Sequence, residues 1–390
     1  MHLTQEEERA LAGEKGLGFQ RAMEILVALG RIYEAERLVP ISSAHISGVS
    51  FKTIGEGGVD FLEEMSIDSK VAVPTTLNPA GMDLERWKDM GVDEDFAQKQ
   101  KTIIKAYERM GVRTICSCTP YLLGNSPMQG DTVAWAESSA ISYVNAVLGA
   151  RTNREGGPGA LAAAIVGKTP LYGLHLEENR KPTVVIESES LKDSSELSLL
   201  GYIVGKTFGS AIPYFKGIRP DPDGLKSIAA AMAASGSIAM FYVEGVTPDY
   251  QKQEINGLER ISLGKDDLKR ACDSINTGKE PDLVALGCPH LSQAELRTLA
   301  SFLDGKRPVR DKPEVWFCTS REIKARCLKE VSILEKFGKV VCDTCMVVTP
   351  IEKKYACTAT NSTKACVYLP SLCSQKVIFA STKELMRLIL

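Results

Sequence analysis

Strand-like runs alternate with helix-like runs along almost the whole chain, and this alternation narrows the possible architectures more than any other feature. Short β-branched apolar runs read as buried strands at Lys70–Pro74, Val112–Cys116, Pro182–Glu187, Ser237–Val243, Asp282–Leu286, Glu314–Cys318, Lys339–Cys342 and Lys376–Ala380. Between them lie segments of helical spacing: Phe51–Met65, Asp83–Met110 (read as two helices), Asp131–Leu148, Ala160–Val166, Ser194–Val204, Leu225–Ala234, Asp267–Asn276, Arg321–Phe337 and Lys383–Leu390. Thr4 with Glu7, and Ser292 with Glu295, have the spacing of capping boxes that open helices. Parallel strands need long crossover connections, so strands separated by helices imply parallel sheets. The expected fold class is α/β, in several doubly wound domains with mainly parallel sheets. A chain of 390 residues has room for two to four domains. Composition marks no obvious linker, and the borders are set approximately, near 155 and 270, giving units 1–155, 156–270 and 271–390.

Charge balance excludes some partners. Lys plus Arg total 47 and Asp plus Glu 49, a net charge of -2. A nucleic-acid protein usually carries a basic excess, and an anionic membrane surface attracts one too. No apolar run approaches the ~20 residues that span a bilayer. The N-terminal MHLTQEEERALAGEK is acidic where a signal peptide is basic and then apolar. These features predict a cytoplasmic protein. Eleven cysteines, an odd number without the spacing of a secreted scaffold, predict free thiols in a reducing compartment. With only four histidines, a metal site would lean on thiolates.

Ligands of open α/β sheets bind beyond the carboxyl ends of the strands. Cys118, after VRTIC, Cys288, after DLVAL, and Cys345, after KVVC, fall there. Cys288 also directly precedes the capped helix start, where a helix dipole lowers a thiol's pKa. Three thiolates on three loops suit an iron–sulfur cubane with one iron free for substrate. Zinc and plain core thiols remain open on pattern alone, and Cys342-x-x-Cys345 is also a redox or zinc spacing. Cys272, Cys318, Cys327, Cys357, Cys366 and Cys373 lie in helical or strand-like runs and read as core.

Several segments are distinctive: CTPYLLG (Cys118–Gly124), AWAESSAISYVNAVLGARTNREGG (Ala134–Gly157), LYGLHLEENR (Leu171–Arg180), ALGCPHLSQAEL (Ala285–Leu296), DTCM (Asp343–Met346) and TNSTKACVYLP (Thr360–Pro370). Together they resemble the aconitase X family, from about residue 40 to about 375. The resemblance implies an aconitase-like fold around a central [4Fe-4S] site. Its implied ligands are Cys118, Cys288 and Cys345, with Cys342 as the alternative third. The chain resembles the large subunit of the archaeal two-chain type. For that branch the resemblance implies an iron–sulfur hydro-lyase that dehydrates (R)-mevalonate 5-phosphate to trans-anhydromevalonate 5-phosphate, in the mevalonate route to isoprenoids. It also implies a small partner subunit carrying the main base, since only about twenty residues follow the last matched segment. The rival substrate is a hydroxy acid such as cis-3-hydroxy-L-proline. The rival class is a non-catalytic iron–sulfur or zinc protein that binds a partner or senses metal.

Substrate contacts are expected from the remaining strand-end loops. Gly48, Val49 and Ser50 form a small-residue turn whose N–H groups suit an anion, or are simply a tight turn. Asn78 and Pro79 follow another strand, and Asn offers both donor and acceptor. Ser138 and Ser139 sit where serine is a poor helix-interior residue unless its hydroxyl is used. Glu137 and Ser139 are the candidate catalytic residues, with a solvated helix face as the alternative for Glu137. Lys364 offers a point charge to phosphate or carboxylate, or is a surface lysine. Arg151 and Arg154 would clamp phosphate or pair with acids between domains. His45 and His290 would tune a neighbour's protonation or hydrogen-bond structurally. No Lys-Ser/Thr ending completes a phosphate-binding P-loop, so nucleotide binding is not expected.

Overall fold

The computed structural model describes all residues except 190, 192 and 310–312. Its described strands form four sheets. In the first unit β1 (Leu38–Pro40) pairs antiparallel with β5 (Lys168–Pro170), and β2 (Ala44–Ile46) lies between β3 (Thr75–Leu77) and β4 (Ala134–Trp135), all parallel. A second parallel sheet has the order β8 (Tyr242–Val243), β7 (Pro213–Lys216), β6 (Val184–Ser188), β9 (Arg260–Leu263). The third has the order β12 (Lys339–Val341), β11 (Glu314–Thr319), β10 (Leu283–Leu291), β13 (Cys357–Thr360), β14 (Lys376–Phe379), again parallel. The architecture is therefore the expected α/β class with mainly parallel sheets.

Local chemistry moved several boundaries. Lys70–Pro74 is not a strand: Val71 and Ala72 spend their N–H groups on Met110 O and Ala164 O at helix ends, and the ladder starts at Thr75. Val112–Cys116 contributes only one bridge, Arg113 to Thr76, before Cys116 turns the chain at φ 44°. Asp131–Leu148 is not one helix. It is β4 followed by the helix Ser138–Ala146, with Glu137 as N-cap. Only Tyr242–Val243 of Ser237–Val243 joins a sheet, and Arg321–Phe337 breaks at Cys327 into two short helices. Cys288 lies inside β10, five residues before the helix Gln293–Leu303, so that helix end does not act on it directly. Both expected capping boxes form.

The ladder of β10 loses register between Leu286 and Leu291. Gly287 makes this departure possible: its φ is 100°, and a Cβ there would lie 2.1 Å from Cys318 O. Beyond the expected border at 155, helix Gly157–Val166 packs on helix Leu17–Ile32 and β5 pairs with β1. Among the described residues no helix is long and apolar enough to cross a membrane.

Candidate active site

Loops leaving the carboxyl ends of two parallel sheets meet at one cavity of about 270 Å³. From the first unit come Gly48, Val49 and Ser50 after β2, Asn78 and Pro79 after β3, and Glu137 and Ser138 after β4. From the third come Cys288 within β10, Cys345 after β12 and Lys364 after β13, while Cys118 follows the Arg113 bridge. Ser139 stands just behind the wall. A larger groove of about 840 Å³, between Glu280 and Tyr355, contains no cysteine or histidine.

The three thiols are buried and free, like the other cysteines apart from the half-buried Cys272. Burial pushes the Cys118 thiol up to about 12, although the Lys364 charge and the His290 N–H, 3.2 Å from its sulfur, work the other way. Cys345 is pushed well above the usual thiol range by its hydrogen bond with Cys288 and by burial. Such thiols lose their protons readily only to a bound cation. Among the described residues no three His, Cys, Asp or Glu side chains converge tightly enough for a single metal ion. Cys342 is buried but absent from the cavity lining, and its backbone N–H donates to Asp83 Oδ2 at 3.0 Å.

Glu137 is the N-cap of its helix, and its carboxylate is saturated. Oε2 accepts from Ala140 N at 2.7 Å and from Ser139 Oγ at 2.5 Å; Oε1 accepts from Lys364 Nζ at 2.5 Å and Ser138 Oγ at 3.3 Å. Burial alone would raise its pKa. The Lys364 charge and these donors outweigh burial and hold it at about 2. Glu137 is thus buried and ionised, not on a solvated face. Lys364, also buried, is raised in turn, because Glu137 and the neighbouring thiols offset its desolvation. It gives two of its N–H groups to Glu137 and Ser139 Oγ, 3.0 Å away, which leaves one for the cavity.

The turn after β2 also faces the cavity with unused donors. Among the described residues the N–H groups of Gly48, Val49 and Ser50 donate to no protein atom, while the next, Phe51 N, is held by Gln100 Oε1 at 3.0 Å. Gly48 takes φ 76°, in the left-handed region that glycine reaches without strain. Ser50 Oγ donates to Val348 O at 2.8 Å, tying this turn to the Cys345 loop.

Other residues escaped sequence reasoning. Gln100, fully buried, also accepts from Gly81 N at 2.9 Å and donates to Val49 O at 2.9 Å, so one side chain ties two of the cavity-lining loops. Its signal was a polar residue inside the apolar stripe Phe96, Ala97, Ile103, Ile104 and Tyr107. Asp83 accepts from Glu85 N, Arg86 N, Arg321 Nη2 and Cys342 N, anchoring the Cys345 loop to the first unit. His290 links all three cysteine loops: Nε2 donates to Thr344 O at 2.9 Å, Nδ1 meets Ser117 Oγ at 3.0 Å, and its N–H reaches Cys118. Its pKa falls to about 4 through burial. Lys226 supports that loop from the second unit, donating to His290 O and pairing with Glu295 and Asp223. By contrast, Arg151 and Arg154 do not line the cavity. Arg151 pairs with Glu177 and His175 O, and Arg154 donates to Ala233 O at 3.1 Å. Arg151 thus pairs with an acid, as in the second of the two roles considered, whereas Arg154 holds backbone and takes neither role among the described residues.

Family models describe the chain from end to end. The aconitase X first domain matches residues 1–178, the second 182–273 and the third 281–389. The phosphomevalonate dehydratase large subunit of Methanocaldococcus jannaschii is 50% identical, over 99% of this chain and 100% of that protein. The cis-3-hydroxy-L-proline dehydratase of Pseudomonas aeruginosa is 35% identical, over 96% of this chain and 67% of that protein. The crystal structure of Thermococcus kodakaraensis aconitase X in its holo-form superposes with a TM-score of 0.93 at 45% identity, each chain covered in full. An end-to-end match of this kind, on a fold whose strand-end loops gather three thiols and a buried lysine, means that the chain belongs to the aconitase X family.

Proposed function

We propose that this chain is the large subunit of a phosphomevalonate dehydratase. As a hydro-lyase it removes water from (R)-mevalonate 5-phosphate to give trans-anhydromevalonate 5-phosphate in a mevalonate pathway. The observation that carries the reading is the presence of three buried thiols and the free N–H of a buried, charged lysine on one cavity. A metal sensor has no use for that lysine or for the unspent donors of the Gly48 turn.

The donor set fits a [4Fe-4S] cluster: free soft ligands on three loops, and no fourth cysteine among the cavity's lining residues. Cys118, Cys288 and Cys345 would hold it as thiolates. When bound, the cluster supplies a Lewis acid for the leaving hydroxyl. Lys364 binds an anionic oxygen of the substrate, and the Gly48–Ser50 N–H groups bind another. Asn78, Pro79 and Ser138 line the same cavity and complete the substrate contacts. A carboxyl held at about 2 is a poor general base near neutral pH, so Glu137 and Ser139 serve to keep Lys364 charged and aimed. The proton from the neighbouring carbon therefore goes to a group on the small subunit. Lys364, Tyr368 and Leu372 lie one turn apart on helix Thr363–Cys373, and Leu372, 44% exposed at the rim, offers the partner an apolar edge. The three-unit division of the chain belongs to this reading, with the first border moved beyond β5.

The test uses anaerobic chain with its small subunit, supplied in turn with mevalonate 5-phosphate, mevalonate and cis-3-hydroxy-L-proline. Formation of the conjugated acid is followed in the near ultraviolet. Turnover of the phosphorylated acid alone is expected. Preferred turnover of hydroxyproline, or equal turnover of mevalonate, overturns the substrate assignment.

A further inference from the structure

Behind Asn78 runs a chain of buried polar groups with a fixed direction. It starts at Ala44 O, a carbonyl that can only accept. The Asn125 atom 3.0 Å from it must therefore be Nδ2, and the same nitrogen donates to Thr76 Oγ1 at 2.8 Å. With a lone pair so used, the single Thr76 proton has two possible acceptors. His45 Nδ1 lies 2.9 Å away and Ala44 O 3.5 Å, so the proton goes to the imidazole. Nδ1 is then the acceptor of a neutral ring, and Nε2 carries the hydrogen. Burial drives His45 down to about 4, which keeps the ring neutral near pH 7. His45 is fully buried, with Trp135 against it edge-on.

At the far end stand two buried atoms that have no hydrogen-bond partner among the described residues, His45 Nε2 and Asn78 Oδ1. Apart from Thr76, the side chain that stands close enough to the ring to favour its N–H is Asn78. Leaving both unpaired would forfeit their hydration with nothing gained in exchange. Pairing Nε2–H with Oδ1 satisfies both and turns the Asn78 amide nitrogen toward the cavity that Asn78 lines.

We propose that His45 is a positioning residue: through the one-way chain Asn125, Thr76, His45, Asn78 it sets the Asn78 amide so that the cavity meets two N–H donors and not a carbonyl. Asn78 thereby selects for an oxyanion of the substrate and against a donor group at that point. The consequence for binding rests on the cavity being the substrate site; the consequence for the imidazole does not.

The first measurement is therefore independent of activity. The chain has four histidines, so ¹⁵N-histidine labelling gives a spectrum that single substitutions can assign. His45 is expected as the neutral Nε2–H tautomer at pH 7. A protonated ring or the Nδ1–H tautomer overturns the proposal, whatever the substrate proves to be. The second measurement uses Thr76→Val, close in shape to threonine but without its proton, together with His45→Gln and His45→Leu. Thr76→Val should move the His45 signals toward the other tautomer and raise KM at least ~10-fold, with kcat within ~3-fold. Gln can accept from Thr76 and donate to Asn78, so His45→Gln should keep KM within ~3-fold, while His45→Leu loses at least ~10-fold. If KM is unchanged in both Thr76→Val and His45→Leu while their visible cluster absorbance matches the parent, the positioning role is wrong. Loss of turnover by the parent with every hydroxy acid would instead sink the proposed reaction and leave the tautomer result standing.

Discussion

Replacing Glu137 by Gln should destabilise the chain in a way that depends on pH. At pH 7 the substitution leaves the Lys364 charge buried without its counter-ion, and breaking such a pair costs about 3–5 kcal/mol. The acid limb can be worked from Glu137 itself. Its carboxyl is held at about 2 in the folded chain against an ordinary 4.5. At about 1.4 kcal/mol per unit, a difference of this size contributes about 3 kcal/mol. Because the folded value is the lower one, this stability is fully present above the unfolded value and is lost as pH falls from about 5 to about 2. The glutamine variant has no such limb. The parent–variant gap should therefore narrow steadily across that range.

For a chain of 390 residues, at about 2.1 cal/mol/K of unfolding entropy per residue, 3–5 kcal/mol corresponds to about 4–6 °C in Tm. Scanning fluorimetry of cluster-free parent and Glu137→Gln at pH 7, 5, 4 and 3 reads the gap directly. The Glu137→Gln/Lys364→Met double variant should recover at least half of the loss, because a buried pair replaced as a whole is far less costly than one partner stranded. A gap that stays constant from pH 7 to pH 3 would refute the assignment of this carboxylate as the counter-ion of Lys364.

Three further outcomes are expected. Cys118→Ser, Cys288→Ser and Cys345→Ser should each lose the visible absorbance of anaerobically reconstituted protein, whereas Cys342→Ser and Cys366→Ser should keep it; full absorbance in Cys345→Ser with loss in Cys342→Ser would move the third ligand. Asp83→Ala removes the acceptor of four donors, one of them on Cys342; iron per chain after reconstitution should fall together with a stability loss of about 3–5 kcal/mol, and an iron content equal to the parent's would show that the Cys345 loop holds itself. Gly48→Ala meets only Ile54 Cγ2, at an unstrained 3.7 Å, so its cost is the left-handed backbone, about 1–2 kcal/mol, and a raised KM; a parent-like KM would remove this turn from the anion site.

The sequence revealed the fold class more readily than the elements that build it. Alternation of apolar runs was enough to imply parallel sheets, because the connection rule needs only the order of elements. It failed where backbone partners were not local. Lys70–Pro74 has the composition of a strand, yet Val71 and Ala72 bond to residues 39 and 92 positions further along the chain. The Cys357–Thr360 strand was missed for the opposite reason: two of its four residues are threonine, and their burial between β10 and β14 is a tertiary fact. Asp131–Leu148 carried a helical period, but Glu137 caps the backbone at Ala140 and so fixes where the helix can begin.

The same distinction runs through the site. Lining residues were legible because strand ends are predictable places: of the three expected cysteine ligands and the expected substrate contacts all but Ser139 reach the cavity wall, whereas Arg151, Arg154 and Cys342 do not. Roles were less legible, because a role depends on what a side chain's neighbours have already claimed. In the sequence Glu137 is an acid beside two serines, as fit for proton transfer as for anything else. In the fold its carboxylate accepts from four donors, and one of them is a lysine at the cavity, more than two hundred positions away. Gln100 and Asp83 make the point from the other side. Neither lines the cavity, yet Gln100 accepts from Phe51 N and Gly81 N and donates to Val49 O, and Asp83 accepts from Cys342 N as well as from Arg321, so each holds backbone of the loops that reach it. Loops this rich in small residues have little packing of their own to hold N–H groups in place. Their geometry must be imposed by buried amides and carboxylates on firmer elements, and those are the residues that pattern reading assigns to the core.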